Sequence, residues 1–184
     1  MRKKTLWITQ TAAMLALLIA LQWATSHIPK PAQQYVTGSC VNAVLAVTVL
    51  MAGLSSGLTV ALISPIFAYL FGIAPNLVTV PAIMVGNAAF AAVLYPAGGG
   101  KSLLRSVTAW LGASLIKFAL LYVLVTYVIC GLLADALMAQ GLLKAPMLTA
   151  LPATFAAPQL VTALIGGGAA LLIVPVLKKA LHRE

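Results

Sequence analysis

The stretch Ala109-Trp-Leu-Gly-Ala-Ser-Leu-Ile-Lys-Phe-Ala-Leu-Leu-Tyr-Val-Leu-Val-Thr-Tyr-Val-Ile-Cys-Gly-Leu-Leu133 is 25 residues of almost unbroken apolar character, with one ammonium, Lys117, at its interior. About 20 apolar residues suffice to cross the hydrocarbon core of a bilayer as a helix, so this segment reads as a membrane span. Lys117 stands twelve residues after Arg105, about 18 Å along a helix, which places it at mid-bilayer. A lone charge there costs about 3 kcal/mol on insertion scales and marks a functional site by default. Asp135 is eighteen residues further on, about 27 Å along the same helix, and is out of reach without a break. Snorkelling toward an interface and bonding to helix carbonyls are the structural alternatives for this ammonium.

Working outward, the rest of the chain has the same character. Of its 184 residues, 62% are hydrophobic and 7% charged, which excludes an ordinary soluble domain. The expectation is an all-α membrane protein, one domain over 1–184, with six transmembrane helices at 5–25, 38–54, 56–73, 79–97, 106–133 and 154–179. The first run follows Met1-Arg-Lys-Lys4 and resembles a signal sequence in its charge. It is too long for a typical h-region and similar runs follow it, so it is expected to be a retained span.

Six spans put Arg2, Lys3, Lys4, Lys101, Arg105, Lys178, Lys179 and Arg183 on one side and only Lys30 and Lys144 on the other. This bias orients both termini toward the cytoplasm and predicts a multi-pass protein of the cell membrane. The net charge of +9 thus reads as topology and as attraction for anionic membrane lipid, with no nucleic acid as partner.

Polar connections concentrate on the outer side. Ser26-His-Ile-Pro-Lys-Pro-Ala-Gln-Gln-Tyr-Val-Thr-Gly-Ser39 is expected to resist helix formation at Pro29 and Pro31 and to cap a cavity. A second outer connection runs from Gly72 to Pro81 and a third from Ala134 to Ala153. Inner connections are short, with Gly53-Leu-Ser-Ser-Gly57 between the second and third spans and a small loop from Ala97 to Ser102.

Catalysis has little to work with, and no enzyme is expected. Asp135 and Glu184 are the only carboxylates, and His27 and His182 fall on opposite sides, so paired carboxylates, a His-based metal site and a Ser-His-Asp arrangement all lack their members. Gly100-Lys-Ser102 resembles the end of a phosphate loop, but the pattern requires glycine where Tyr95 stands. No cofactor is expected. Cys40 and Cys130 read as small apolar residues, with a disulfide between outer helix ends as the alternative.

What remains is binding chemistry. Asn87 lies near the middle of its span, and Asn42 and Gln159 near the outer ends of theirs; each carries an amide with donors and an acceptor suited to a ligand edge. Interhelical hydrogen bonding is an equal claim on each of them. With Lys117, Tyr35 and Asn76 they make a candidate outward-facing pocket. Ala12, Ala16, Ala20 and Ala24 recur at spacing four and form a smooth stripe on the first span, for packing inside the monomer or for docking a partner. Gly166-Gly-Gly168 in the last span is either a tight crossing or a flexible point.

Six short spans, the basic N-terminus, the stripe Ala12, Ala16, Ala20, the segments Tyr35-Val-Thr-Gly-Ser-Cys-Val-Asn42 and Ser64-Pro-Ile-Phe67, and Gln159-Leu-Val-Thr-Ala-Leu-Ile-Gly-Gly-Gly168 together resemble the substrate-binding S component of an energy-coupling factor (ECF) vitamin transporter. The resemblance implies that the stripe docks on a transmembrane coupling protein driven by two ATPase subunits, and that substrate is captured near the outer side and released inside when the S component topples. Lys117 favours a carboxylate or phosphate on that substrate. A structural or assembly membrane protein is the competing expectation. A secondary transporter is disfavoured, since neither an inverted repeat nor an acidic coupling site is visible.

Overall fold

The computed structural model describes residues 2–98 and 102–181, with side chains from residue 4 onward. Of the bases read above as one side's charge, the side chains of Arg2 and Lys3 and the whole of Lys101 and Arg183 lie outside the described residues, as do Gly100, His182 and Glu184. The described chain is all-α: α1 Arg2–Ser26, α2 Ala32–Ala52, α3 Leu54–Leu70, α4 Val80–Leu94, α5 Leu103–Tyr122, α6 Ala134–Ala139, α7 Met147–Thr154 and α8 Ala157–Ala180. No strand occurs among the described residues. Five of its helical stretches are long and apolar enough to cross a membrane, and α3, at 17 residues, is a shorter apolar helix at the lower end of the spanning range. The chain is a multi-pass helical membrane protein.

The second and third helices are divided by one residue, Gly53, at φ 91°, a left-handed backbone conformation that residues with a Cβ rarely adopt. The loop expected over Gly53 to Gly57 is therefore mostly the first turn of α3. The connection expected from Ser26 to Ser39 is likewise shorter. Pro31 occupies the N-cap of α2, and Ala32 onward is helical because Gln33 and Thr37 turn inward and are buried. Pro29 and Pro31 thus confine the break to a turn between α1 and α2 instead of opening a loop. From Gly72 to Pro81 the chain enters α4 through a short 3-10 turn, Leu77–Thr79, with Pro81 in the first turn of α4, where a missing N–H costs nothing.

The connection from Ala134 to Ala153 also folds. Between Ala134 and Ala153 the chain forms α6 and most of α7, and Leu143 and Leu151, at 3% and 2% exposure, sit in an apolar cluster with Leu121, Val125, Ile129 and Phe155. This cluster roofs one end of the bundle. The larger core, built on Leu18, Leu45, Val49, Val60, Phe90, Leu94, Ala113 and Ala163, fills the remainder.

Helix α5 joins the two cores. It continues without interruption into a π-helix, Val123–Leu132. Apart from Ser114, its buried residues Ala113, Lys117, Leu121, Val125 and Ile129 recur at every fourth position. Four residues overshoot one α turn by about 40°, whereas the wider π turn, bonded to the fifth residue back, is undershot by the same step. The two drifts offset each other, and one continuous stripe stays turned inward, with Lys117 between Ala113 of the larger core and Leu121 of the roof.

Candidate functional site

The Lys117 side chain is 3% exposed and has no ion pair among the described residues. Its Nζ donates to Asn42 Oδ1 at 2.5 Å and to Asn87 Oδ1 at 2.6 Å, and lies 5.6 Å from the centre of the Phe90 ring, within cation–π range. The ammonium has thus neither snorkelled nor turned to helix carbonyls; two neutral carboxamides and an aromatic face hold it. Asp135 is exposed at the start of α6.

Each holding residue is placed by its own helix contacts. Asn42 Nδ2 donates to Gly38 O at 2.9 Å and reaches Thr162 Oγ1 at 3.4 Å, tying α2 to α8. That approach is possible because Gly166 faces Asn42: a Cβ built there would meet Asn42 Cβ at 2.6 Å and Ala43 N at 2.7 Å. Gly167 in turn faces the Trp110 indole, whose Nε1 donates to Leu164 O at 3.1 Å. The triple glycine is a tight crossing of α8 against α2 and α5, with α8 regular across it.

Lys117, Asn42, Asn87 and Gln159 line one cavity of about 160 Å³ at the roofed end of the bundle. Its floor also takes Gln22 from α1 and Ser64 from α3, so each of α1 to α5 contributes a polar group, with Gln159 of α8 above them. Val41, Ala68, Ile83 and Phe155 supply apolar wall, and Lys30, Gln34 and Gln159 stand higher, where the residues are half-buried or exposed. Gln34 Nε2 donates to Thr154 O at 2.6 Å, linking α2 to α7 beside the cavity. The combination of apolar wall with a few convergent polar groups is that of a small-molecule site.

Two residues expected at the pocket are placed elsewhere. Tyr35 is 39% exposed and is not among the lining residues, since its neighbours Gln33, Gln34 and Thr37 take the inward face of α2. Asn76 caps the 3-10 turn through Val78 N and donates to Leu142 O at 2.9 Å, so its amide knits two connections at the roofed end together. Gln22, Ser64, Gln33, Thr37 and Phe155 are among the lining residues not expected from the sequence. Gln22 becomes anomalous only in the structure, where Thr11, Leu18, Gln22 and Thr25 share the buried face of α1 and an amide faces inward.

Ala12, Ala16, Ala20 and Ala24 are all exposed on another face of α1. Packing inside the monomer does not account for the stripe. Cys40 and Cys130 are free, half-buried thiols, so no disulfide joins α2 to the π segment. Among the described residues no group of His, Cys, Asp or Glu is arranged to hold a metal ion. No family model, curated protein or solved structure matches the chain.

Proposed function

We propose that this chain is the substrate-capturing subunit of an ECF-type ATP-driven importer of the cell membrane, binding a small anionic vitamin or related metabolite from outside. The observation that carries the reading is a fully buried ammonium at a cavity floor, held by neutral oxygens, with no carboxylate among the cavity-lining residues. Two amide oxygens orient the charge without cancelling it, so a ligand carboxylate or phosphate is the missing counter-ion. In a site of low dielectric such an attraction is strong, because little solvent screens it.

In this reading both termini face the cytoplasm, the roofed end faces outward, and Gln159, Asn42 and Asn87 take part in recognition with Lys117. The exposed stripe Ala12, Ala16, Ala20 docks on the coupling protein, whose two ATPase subunits supply the energy this chain has no means to supply. Co-purification of the tagged chain with those proteins, together with native mass spectrometry of the isolated chain, tests it. The expected result is a bound carboxylated or phosphorylated metabolite, retained by the wild type and lost by more than about tenfold in Lys117→Met.

One observation favours the second reading, a structural or assembly protein. Through Asn42 and Asn87, Lys117 ties α2, α4 and α5 together, as a polar staple would. If that is its whole role, Lys117→Met lowers the melting temperature and no small molecule is released from the wild type. If capture is its role, the wild type releases a small molecule that Lys117→Met fails to hold, whatever the change in melting temperature, since the substitution leaves two buried amide oxygens unpaired under either reading.

A further inference from the structure

The polar groups at the cavity floor are not interchangeable, and counting their hydrogen bonds separates those already satisfied from those with capacity left. An ammonium has three N–H donors and no acceptor. Lys117 directs two of them at Asn42 Oδ1 and Asn87 Oδ1, which fixes both amides with their oxygens toward it. Asn42 then satisfies its NH2 on Gly38 O and Thr162 Oγ1. Asn87 does not: its Nδ2 is buried without a partner. Gln22 is fixed in the same manner, because its Nε2 donates to the Ser64 carbonyl at 3.3 Å and a carbonyl can only accept. Its Oε1 is therefore the free end, and it too is buried without a partner. Both residues line the cavity, at 2% and 1% exposure for Gln22 and Asn87.

Buried polar atoms in native proteins almost always find partners, so an orphan donor and an orphan acceptor on one cavity describe what should meet them. We infer that the ligand's buried end is a mixed head: an acidic oxygen that accepts from Asn87 Nδ2 and the third N–H of Lys117, beside an N–H that donates to Gln22 Oε1. This rests on the capture reading above and adds the donor. A simple carboxylate on a hydrocarbon body satisfies Lys117 and Asn87 but presses apolar surface against Gln22 Oε1 and leaves it unpaired. The body is about one ring across, since a cavity of about 150 Å³ holds benzene and this one is about 160 Å³. Val41, Ile83 and Phe155 are the walls against which such a ring lies.

The test uses the full chain in detergent and three ring-sized probes, read by titration calorimetry. Orotate carries a carboxylate and ring N–H groups, benzoate a carboxylate alone, and uracil ring N–H groups without a carboxylate. The expected result is orotate binding at least about tenfold more tightly than either, with Gln22→Leu abolishing its advantage over benzoate. Benzoate binding as tightly as orotate, with both lost in Lys117→Met, overturns the donor and leaves anion capture standing. Uracil binding as tightly as orotate, unaffected by Lys117→Met, overturns the acidic oxygen of the mixed head and anion capture with it. Failure of all three to bind overturns the ring-sized mixed head. The wild-type comparison of probes decides the matter by itself should Gln22→Leu not fold.

Discussion

Lys117 and Gln22 show how differently two buried polar residues announce themselves. A base in a 25-residue apolar run is anomalous whatever the fold, because lipid penalises it wherever the helix rotates. Gln22 becomes anomalous only once the inward face of α1 is known, since at a helix end an outward glutamine meets water or lipid headgroups at little cost. Asn42 and Asn87 lie between these cases: both were visible as polar residues in spans, but only their oxygens at 2.5 and 2.6 Å from the ammonium separate them from ordinary interhelical amides. They are also unequal. Asn42 serves Lys117, Gly38 and Thr162, whereas Asn87 serves Lys117 alone among the described residues. Asn42→Ala is expected to destabilise the protein by about 1–3 kcal/mol, and by more than Asn87→Ala, in thermal unfolding followed in detergent. Equal effects would mean that the bonds to Gly38 and Thr162 contribute nothing.

At the scale of elements, two glycines do different physical work. Gly53 has φ 91° and nothing within 4 Å of a Cβ built on it, so Gly53→Ala is opposed by backbone conformation alone, at about 1 kcal/mol. Gly166 has ordinary helical backbone and no room, its virtual Cβ meeting Asn42 Cβ and Ala43 N inside contact distance. Gly166→Ala forces α8 away from α2 at an expected cost of about 1–3 kcal/mol. It also displaces Asn42 from Lys117, so ligand retention should fall with stability, while Gly53→Ala lowers stability and spares retention. A melting curve paired with native mass spectrometry on each variant checks the contrast. The π segment belongs to this scale too. Hydropathy assigned Ala109 to Leu133 to one span, but the change from α to π winding depends on a buried stripe at every fourth residue, and that stripe is set by the neighbours of α5.

For the whole molecule, the stripe on α1 is where fold and assembly part. Ala12, Ala16 and Ala20 are exposed, so Ala16→Leu should leave the melting temperature of the isolated chain within about 2 °C, a surface substitution being within about 0.5 kcal/mol. Under the proposed importer function, recovery of a coupling protein and ATPases with the tagged chain should drop at the same time. Unchanged recovery with Ala12→Leu, Ala16→Leu and Ala20→Leu combined would remove the stripe from the docking surface. The sequence by itself determined the all-α class, the approximate spans and the position of an ammonium, Lys117, within an apolar span, because hydropathy and charge act on each segment against lipid independently of its neighbours. Only the tertiary structure decided that Gln22 and Ser64 share a floor with Lys117, that Tyr35 and Asn76 do not, and that the connection from Ala134 to Ala153 is a helical roof. The physical reason is rotational. Each residue advances a helix by about 100°, and the face that turns inward is chosen by close contacts such as Gly166 on Asn42, which no linear pattern of apolar residues records.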